Sequence, residues 1–253
     1  MSDPLVTCLC LTYGRPHLLG EAVKCFIDQD YPNKELIILN DQEGVELCLE
    51  NCPDNIKIIN YPKRFNSLGE KRNYSKTLGN GDYYAIWDDD DLYTPFRLSE
   101  SIKGMIEYRG YDIIKAKDAV ISVDNSNYKI ANNLFHSQAL ITKNYMTRRF
   151  YPSISIGEDR DFEKNAKIFS LNIFPFFFYV YRWGLATHHV SGNPNEKLSW
   201  EKSLKFEPYT RIKGKVFIKP EFQKDYWEDI KNYMNKINPN LGKIWYEKIG
   251  RKL

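Results

Sequence analysis

The 253-residue chain has no apolar run long enough to cross a bilayer. Its most apolar window, IFPFFFYVY at 173–181, has about half of the ~20 residues that a spanning helix needs. A buried strand or an interface is expected there instead. The start, MSDPLVTCLC, has neither a basic segment nor a long apolar one, so no signal peptide is expected. Cysteine is scarce: five residues, an odd number, all within the first 52 positions. No CxxC pair and no Cys/His cluster at zinc spacing occurs, which argues against a zinc module. Buried, reduced thiols in a cytoplasmic protein are expected. The net charge of +3 is too small to point to nucleic acid by itself. Internal repeats and low-complexity linkers are also missing.

What is present is an ordinary globular composition, with 42% hydrophobic and 27% charged residues and length enough for a sizeable core. Aromatics are abundant at 15%, mainly through 18 Tyr and 14 Phe. Charge is uneven. Residues 195–253 hold 14 Lys/Arg against 8 Asp/Glu, and the rest of the chain is slightly acidic. A basic, aromatic tail can be a solvated helical face or can meet a membrane surface.

Strand-like runs alternate with helical ones through residue 116. PLVTCLCLT, ELIILN, IKIIN, YYAIW and YDIIKA read as strands. HLLGEAVKCFI, GEKRNYSKTLG and PFRLSESIKGMIEY read as helices, the second closed by Gly79 and the third opened at Pro95. Such alternation predicts an α/β fold: a Rossmann-like, mostly parallel central sheet flanked by helices. Ligands bind beyond the carboxyl ends of strands in such sheets. After residue 117 short strands are expected, with a helix beginning at GEDRDF. A helical C-terminal extension follows, including a helix opened at Pro220. The predicted division is a catalytic unit at 1–194, with a nucleotide half (1–92) and an acceptor half (93–194), and the extension at 195–253 packed on it.

Five motifs carry chemistry. AIWDDDDLYTP places Asp88, Asp89, Asp90 and Asp91 after a strand. Hard carboxylate oxygens there suit Mg²⁺ or Mn²⁺, which take one or two carboxylates with phosphates and water. On an extended chain neighbours alternate sides, so Asp88 and Asp90 would share one side. The run can also be a solvated acidic loop, with Asp91 capping the next helix. Asp41, at the end of another strand, can accept from a nucleobase or a ribose hydroxyl, or serve as a turn residue. In SLGEKRN, Lys71 and Arg72 in a first helical turn can meet phosphate, and Arg72 can instead pair with the aspartates. IGEDRDF offers Glu158, Asp159 and Asp161 as candidates for a general base, or simply an acidic first turn. THHVSG carries His188 and His189, a metal or phosphate pair or a structural one.

Taken in order, LTYGRPHLLGEAVKCFIDQDYPNKELIILND, SLGEKRN, IWDDDDLYTPFRL and GEDRDF resemble the large inverting family 2 of nucleotide-sugar glycosyltransferases, of A-type glycosyltransferase fold. TYGRP differs from the family's Thr-Tyr-Asn-Arg-Pro by Gly14, and Asn40-Asp41 stands where two aspartates are usual. The resemblance implies that Thr12, Tyr13 and Arg15 border the nucleotide and that Asp41 binds the base, most naturally the imide of uracil. It puts Lys71 and Arg72 near the base or diphosphate. It implies that Asp88 and Asp89 face the donor, that Asp90 binds Mn²⁺ or Mg²⁺ with His188 or His189 as a further contact, and that Asp159 is the catalytic base. The partners implied are a UDP-sugar and a glycan or lipid-linked acceptor, without nucleic acid, with peripheral membrane contact through the extension. A non-catalytic sugar-nucleotide or glycan-binding module is one alternative. A nucleotidyltransferase is another, although TYGRPHLLG is a poor Gly-rich phosphate loop.

Overall fold

The computed structural model describes residues 3–123, 125–183 and 213–250. Strand β1 (Val6–Thr12) is almost wholly buried, the pattern of a strand covered on both faces. It pairs in parallel with β2 (Lys34–Asn40) and with β5 (Tyr83–Ile86). Beyond β2 lies β4 (Ile56–Asn60), also parallel. On the other side, β10 (Leu140–Thr142) runs antiparallel between β5 and β7 (Ile113–Ala116), and β11 (Ile168–Leu171) closes the seven-stranded sheet. The expected mostly parallel sheet is therefore present, with one strand reversed inside it.

Helix α1 (Pro16–Ile27) opens on a proline at its start and buries Leu18, Leu19, Ala22, Val23 and Phe26 on one stripe, whereas Ile27, expected on the same stripe from its spacing, is exposed at the helix end. Helix α2 (Leu68–Ser75) is capped by the Ser67 side chain, which accepts from the Glu70 N–H at 3.2 Å. It ends at Ser75, short of the expected Gly79. Thr77 and Leu78 donate to Tyr74 and Ser75, tightening the chain into i−3 bonds. Helix α3 (Arg97–Glu107) begins two residues after Pro95 and has no side-chain cap, so Asp91 does not cap it.

A second sheet orders β6 (Leu92–Tyr93), β12 (Tyr179–Trp183), β8 (Asp118–Val123) and β9 (Asn127–Asn132). β12 takes only the last part of the apolar window at 173–181. Short helices α4 (Lys143–Arg148) and α5 (Glu158–Glu163) complete this half.

The extension is more than helical. β13 (Gly214–Ile218) pairs in parallel with β3 (Val45–Leu49), a short strand whose mixed polar sequence hid it. Helix α6 (Tyr226–Ile237) begins after the expected Pro220 because the Asp225 carboxylate caps it, accepting from the Glu228 N–H at 3.0 Å. α7 (Pro239–Gly250) lies against it. Trp227 and Trp245, one on each of these helices, are buried with ring centroids 6.0 Å apart, so they join α6 to α7. Among the described residues no helix is long and apolar enough to cross a membrane. Trp245→Ala removes a fully buried ring and should cost about 3–5 kcal/mol, read as a lowered urea midpoint.

Candidate active site

Because β1, β2 and β5 are parallel, their carboxyl ends share one rim. That rim carries Thr12, Tyr13 and Arg15 after β1, Asp41 after β2, and the aspartate run after β5. Gly14, between Tyr13 and Arg15, has φ +69°, a left-handed conformation that glycine and asparagine accept most readily. This accounts for glycine where relatives of the motif carry asparagine.

A cavity of about 510 Å³ opens beside this rim. Asp88, Asp89, Asp90 and Asp91 line it, with Arg15 and Arg72. Glu158 and Asp159 at the start of α5 line it as well, and Phe135, His136 and Ser137 form part of the wall. A turn at Asp89–Asp90 breaks the alternation expected of an extended chain. Both carboxylates converge on Arg15, whose Nη1 donates to Asp90 Oδ2 at 2.5 Å and whose Nη2 donates to Asp89 Oδ1. Burial pushes the Asp89 carboxyl up to about 6. Arg15 works against that rise, and Asp90 adds to it.

The other two aspartates are held from behind. Ser137 donates its hydroxyl to Asp88 Oδ2. Asp91 accepts from the Tyr179 hydroxyl at 2.5 Å and from the Arg182 N–H at 2.8 Å. Burial raises its pKa well above the carboxylate range, and Asp90 and Asp88 add to the rise. Arg182 is itself buried. Its Nε donates to the Asp90 carbonyl at 2.6 Å and its Nη1 to Glu21 of α1. An arginine inside the apolar run before WG was the one sequence signal for this partner.

Asp41 is fully buried and bonded on both oxygens. It accepts from Lys71 Nζ at 2.6 Å, Arg64 Nη1 at 3.3 Å and the Phe65 N–H at 3.1 Å. Lys71 also donates to the Thr12 carbonyl at 2.7 Å and does not line the cavity. The Arg64 guanidinium lies 3.4 Å from the centre of the Tyr13 ring. Arg64 sits in a loop with no pattern to mark it. Arg72, one residue beyond Lys71, does reach the cavity, and its Nε donates to Glu158 Oε1 at 3.2 Å. Glu158 is thereby paired with a cation, whereas Asp159, also on the wall, accepts locally from the Arg160 N–H at 2.8 Å.

His136 was not legible either. Its ring nitrogens contact Glu163 at 2.5 Å and the Tyr151 hydroxyl at 3.0 Å. Glu163 also pairs with buried Lys115 at 2.6 Å. Burial tends to raise the Glu163 pKa, but His136 and Lys115 hold it below its ordinary value. His188 and His189 lie outside the described residues.

The carboxylates of the aspartate turn are hard oxygen donors on one cavity wall. Among the described residues no group of three His, Cys, Asp or Glu converges on one point. That donor set fits Mg²⁺ or Mn²⁺, which bind through one or two carboxylates and take their remaining oxygens from phosphates and water.

The family model described as glycosyl transferase family 2 matches residues 8–192. The chain belongs to this family. A glycosyltransferase of Rickettsia typhi is 25% identical over 184 residues, covering 63% of this chain and 57% of that protein. WcaA of Escherichia coli, named as a colanic acid biosynthesis glycosyl transferase, is 31% identical over 105 residues, 39% of this chain and 37% of that one. The chain thus spans about half or less of the length of the curated relatives it matches. Among solved structures, S. aureus TarS 1–349 in complex with UDP-GlcNAc aligns with TM-score 0.58 at 13% identity, over 92% of this chain and 66% of that one. Mannosyltransferase PcManGT from Pyrobaculum calidifontis, in complex with GDP-Man and Mn²⁺, aligns with TM-score 0.53 at 13% identity, over 75% and 59%. These likenesses bear on the fold.

Asp41→Ala leaves Lys71 buried without its carboxylate and should cost about 3–5 kcal/mol in urea unfolding. An unchanged midpoint would mean that Asp41 is not a structural counter-ion.

Proposed function

We propose that this chain is a metal-dependent, inverting glycosyltransferase. In this reading it moves a sugar from a nucleoside diphosphate, UDP in the favoured case, to a hydroxyl of a glycan or glycolipid. The observation that carries the reading is one cavity with the aspartate turn on one wall and Asp159 on another, with Arg15 and Arg72 beside them. Family membership supports it, as do fold neighbours whose complexes hold UDP-GlcNAc and GDP-Man with Mn²⁺.

The chain's own residues divide the work. Asp90, with Asp89 beside it, would hold Mn²⁺ or Mg²⁺, which when bound supplies Lewis acidity to the departing diphosphate. Asp88, fixed by Ser137, orients the donor side. Arg15 and Arg72 present positive charge to phosphate oxygens. Asp159 accepts the proton of an acceptor hydroxyl as that oxygen attacks the anomeric carbon from the face opposite the leaving group. One displacement of this kind inverts the configuration. The site must keep out water that would hydrolyse the donor. Tyr13 and Asp41 stand for the base, and Arg64, which lies on both, must move aside for it.

A screen of nucleotide sugars for hydrolysis with Mn²⁺ identifies the donor. With that donor, Asp159→Asn should lower turnover by about 10²–10⁴-fold, and EDTA should abolish turnover until Mn²⁺ is restored. Full activity in the variant sinks the base assignment, and full activity in EDTA sinks metal dependence. UDP binding with Mn²⁺ but turnover of no donor–acceptor pair would favour a binding module, which has no need of Asp159. In calorimetry, Arg64→Ala should bind UDP several-fold more tightly than the parent, the opposite of what loss of a base contact would produce.

A further inference from the structure

Asp159 stands on a helix only six residues long, α5. A helix of that length does not hold itself in water, so the place of Asp159 is set by what grips the helix from outside. Arg72 takes Glu158 at its start. Near its end the Tyr145 hydroxyl donates to the Phe162 carbonyl at 2.6 Å. The last residue, Glu163, comes four positions after Asp159 and so lies on the same side of the helix. Both oxygens of Glu163 are engaged. Oε2 accepts from Lys115 Nζ of β7 at 2.6 Å, and Oε1 meets His136 Nδ1 at 2.5 Å.

His136 is fixed in its turn. Its side chain is buried, its Nε2 contacts the Tyr151 hydroxyl at 3.0 Å, and its ring packs edge-on to Phe162 with centroids 6.1 Å apart. An ionised Glu163 only accepts, so the Nδ1 of His136 carries the proton between them. Both ring nitrogens are therefore occupied, although the residue lines the cavity. The turn that carries it, His136–Gln138, is bolted to the aspartate side of the site. The Ser137 hydroxyl donates to Asp88, and Arg97 Nη2 donates to the carbonyls of Ser137 and of Ile86 at the end of β5, each at 2.7 Å. Arg97 itself is buried, with its guanidinium 4.7 Å from the Trp87 ring centre and 4.4 Å from that of Tyr93.

We propose that His136 is a positioning residue of the transfer reaction: by holding Glu163 it fixes the distance from Asp159 to the aspartate turn. The proposal rests on the reading of Asp159 as the base. Charge alone does not require the histidine, because buried Lys115 already supplies a cation to Glu163 and is itself steadied by the Leu134 carbonyl at 3.0 Å. What His136 adds is direction. A carboxylate held at one oxygen by an ammonium can pivot, whereas one held at both oxygens cannot. The second hold comes from the same turn that fixes Asp88, so the base helix and the aspartate turn are referred to one rigid point. A displacement of about 1 Å between reacting groups can cost on the order of 10²-fold in rate, which makes such a reference worth having.

The test measures turnover of the donor found by the Mn²⁺ hydrolysis screen, with calorimetric binding of UDP and Mn²⁺ beside it. His136→Phe keeps a ring in place and leaves Glu163 to Lys115. It should lower kcat about 10–10²-fold, with the donor KM and the UDP affinity within about twofold of the parent. His136→Asn, whose amide N–H can stand where Nδ1–H does, should recover most of that loss. In an Asp159→Asn background His136→Phe should lower turnover no further, because its effect passes through Asp159. Glu163→Gln should reproduce the kcat loss. Melting curves verify folding, and if His136→Phe does not fold, Glu163→Gln is judged by the same criteria. The proposal is overturned if kcat is unchanged, if kcat and UDP affinity fall together, if His136→Asn is no better than His136→Phe, or if the loss persists undiminished beside Asp159→Asn. Loss of turnover in Asp159→Asn with full activity in His136→Phe overturns this proposal alone. Full activity in Asp159→Asn, or no turnover of any donor by the parent, overturns the reading of Asp159 and this proposal with it.

Discussion

The buried guanidinium of Arg182 ties together the parts on which the site depends. It reaches the Asp90 carbonyl and Glu21, while its own N–H meets Asp91. Glu21 in turn accepts from the Gln223 N–H at 3.0 Å, just before α6. One residue of β12 therefore connects α1, the aspartate turn and the extension. A buried charge is tolerated only where partners of opposite charge and hydrogen bonds surround it. This requirement makes the connection specific: no apolar residue in the same volume would hold the turn's backbone and α1 together. Asp91 lines the cavity with the other three aspartates but is held by this scaffold through both carboxylate oxygens.

The remaining carboxylates follow the same electrostatic rule. Arg15 serves Asp89 and Asp90, Lys71 and Arg64 serve Asp41, and Arg72 serves Glu158. Each pairing lets an acid stay near the rim of a buried sheet without the full penalty of an isolated charge. The pairing also sorts the acids. Asp41, closed in by two cations and a main-chain N–H, contributes to the framework of the rim. Asp89 and Asp90 share a single arginine and sit on the cavity wall, where a divalent cation can compete for them. The turn of His136 to Ser137 stands between the two walls, touching Asp88 on one side and Glu163 of α5 on the other.

Much of this was legible in the residues. Apolar runs such as VTCLCLT and ELIILN show buried strands because both faces of a parallel sheet are covered. The spacing in HLLGEAVKCFI shows the buried stripe of α1. β3 and β13 escaped because each is short, partly polar and completed only by the other, more than 160 positions away in the chain. Gly79 read as a helix end because glycine marks both caps and close approaches, and one-dimensional pattern does not separate the two.

The sequence by itself determined the main alternation of strands and helices through residue 116, the placing of Asp41 and the aspartate run at strand ends, and the candidate roles that family resemblance attaches to them. These are local properties, set by hydrophobic period and by the chemistry of neighbouring side chains. Only the tertiary structure decided which acid meets which cation. It directed Lys71 to Asp41, gave Asp89 and Asp90 to Arg15, placed Arg182 behind Asp91, and brought His136 between the two walls. Those partners are distant in the chain, and a charge reveals its partner only when folding has removed the water between them.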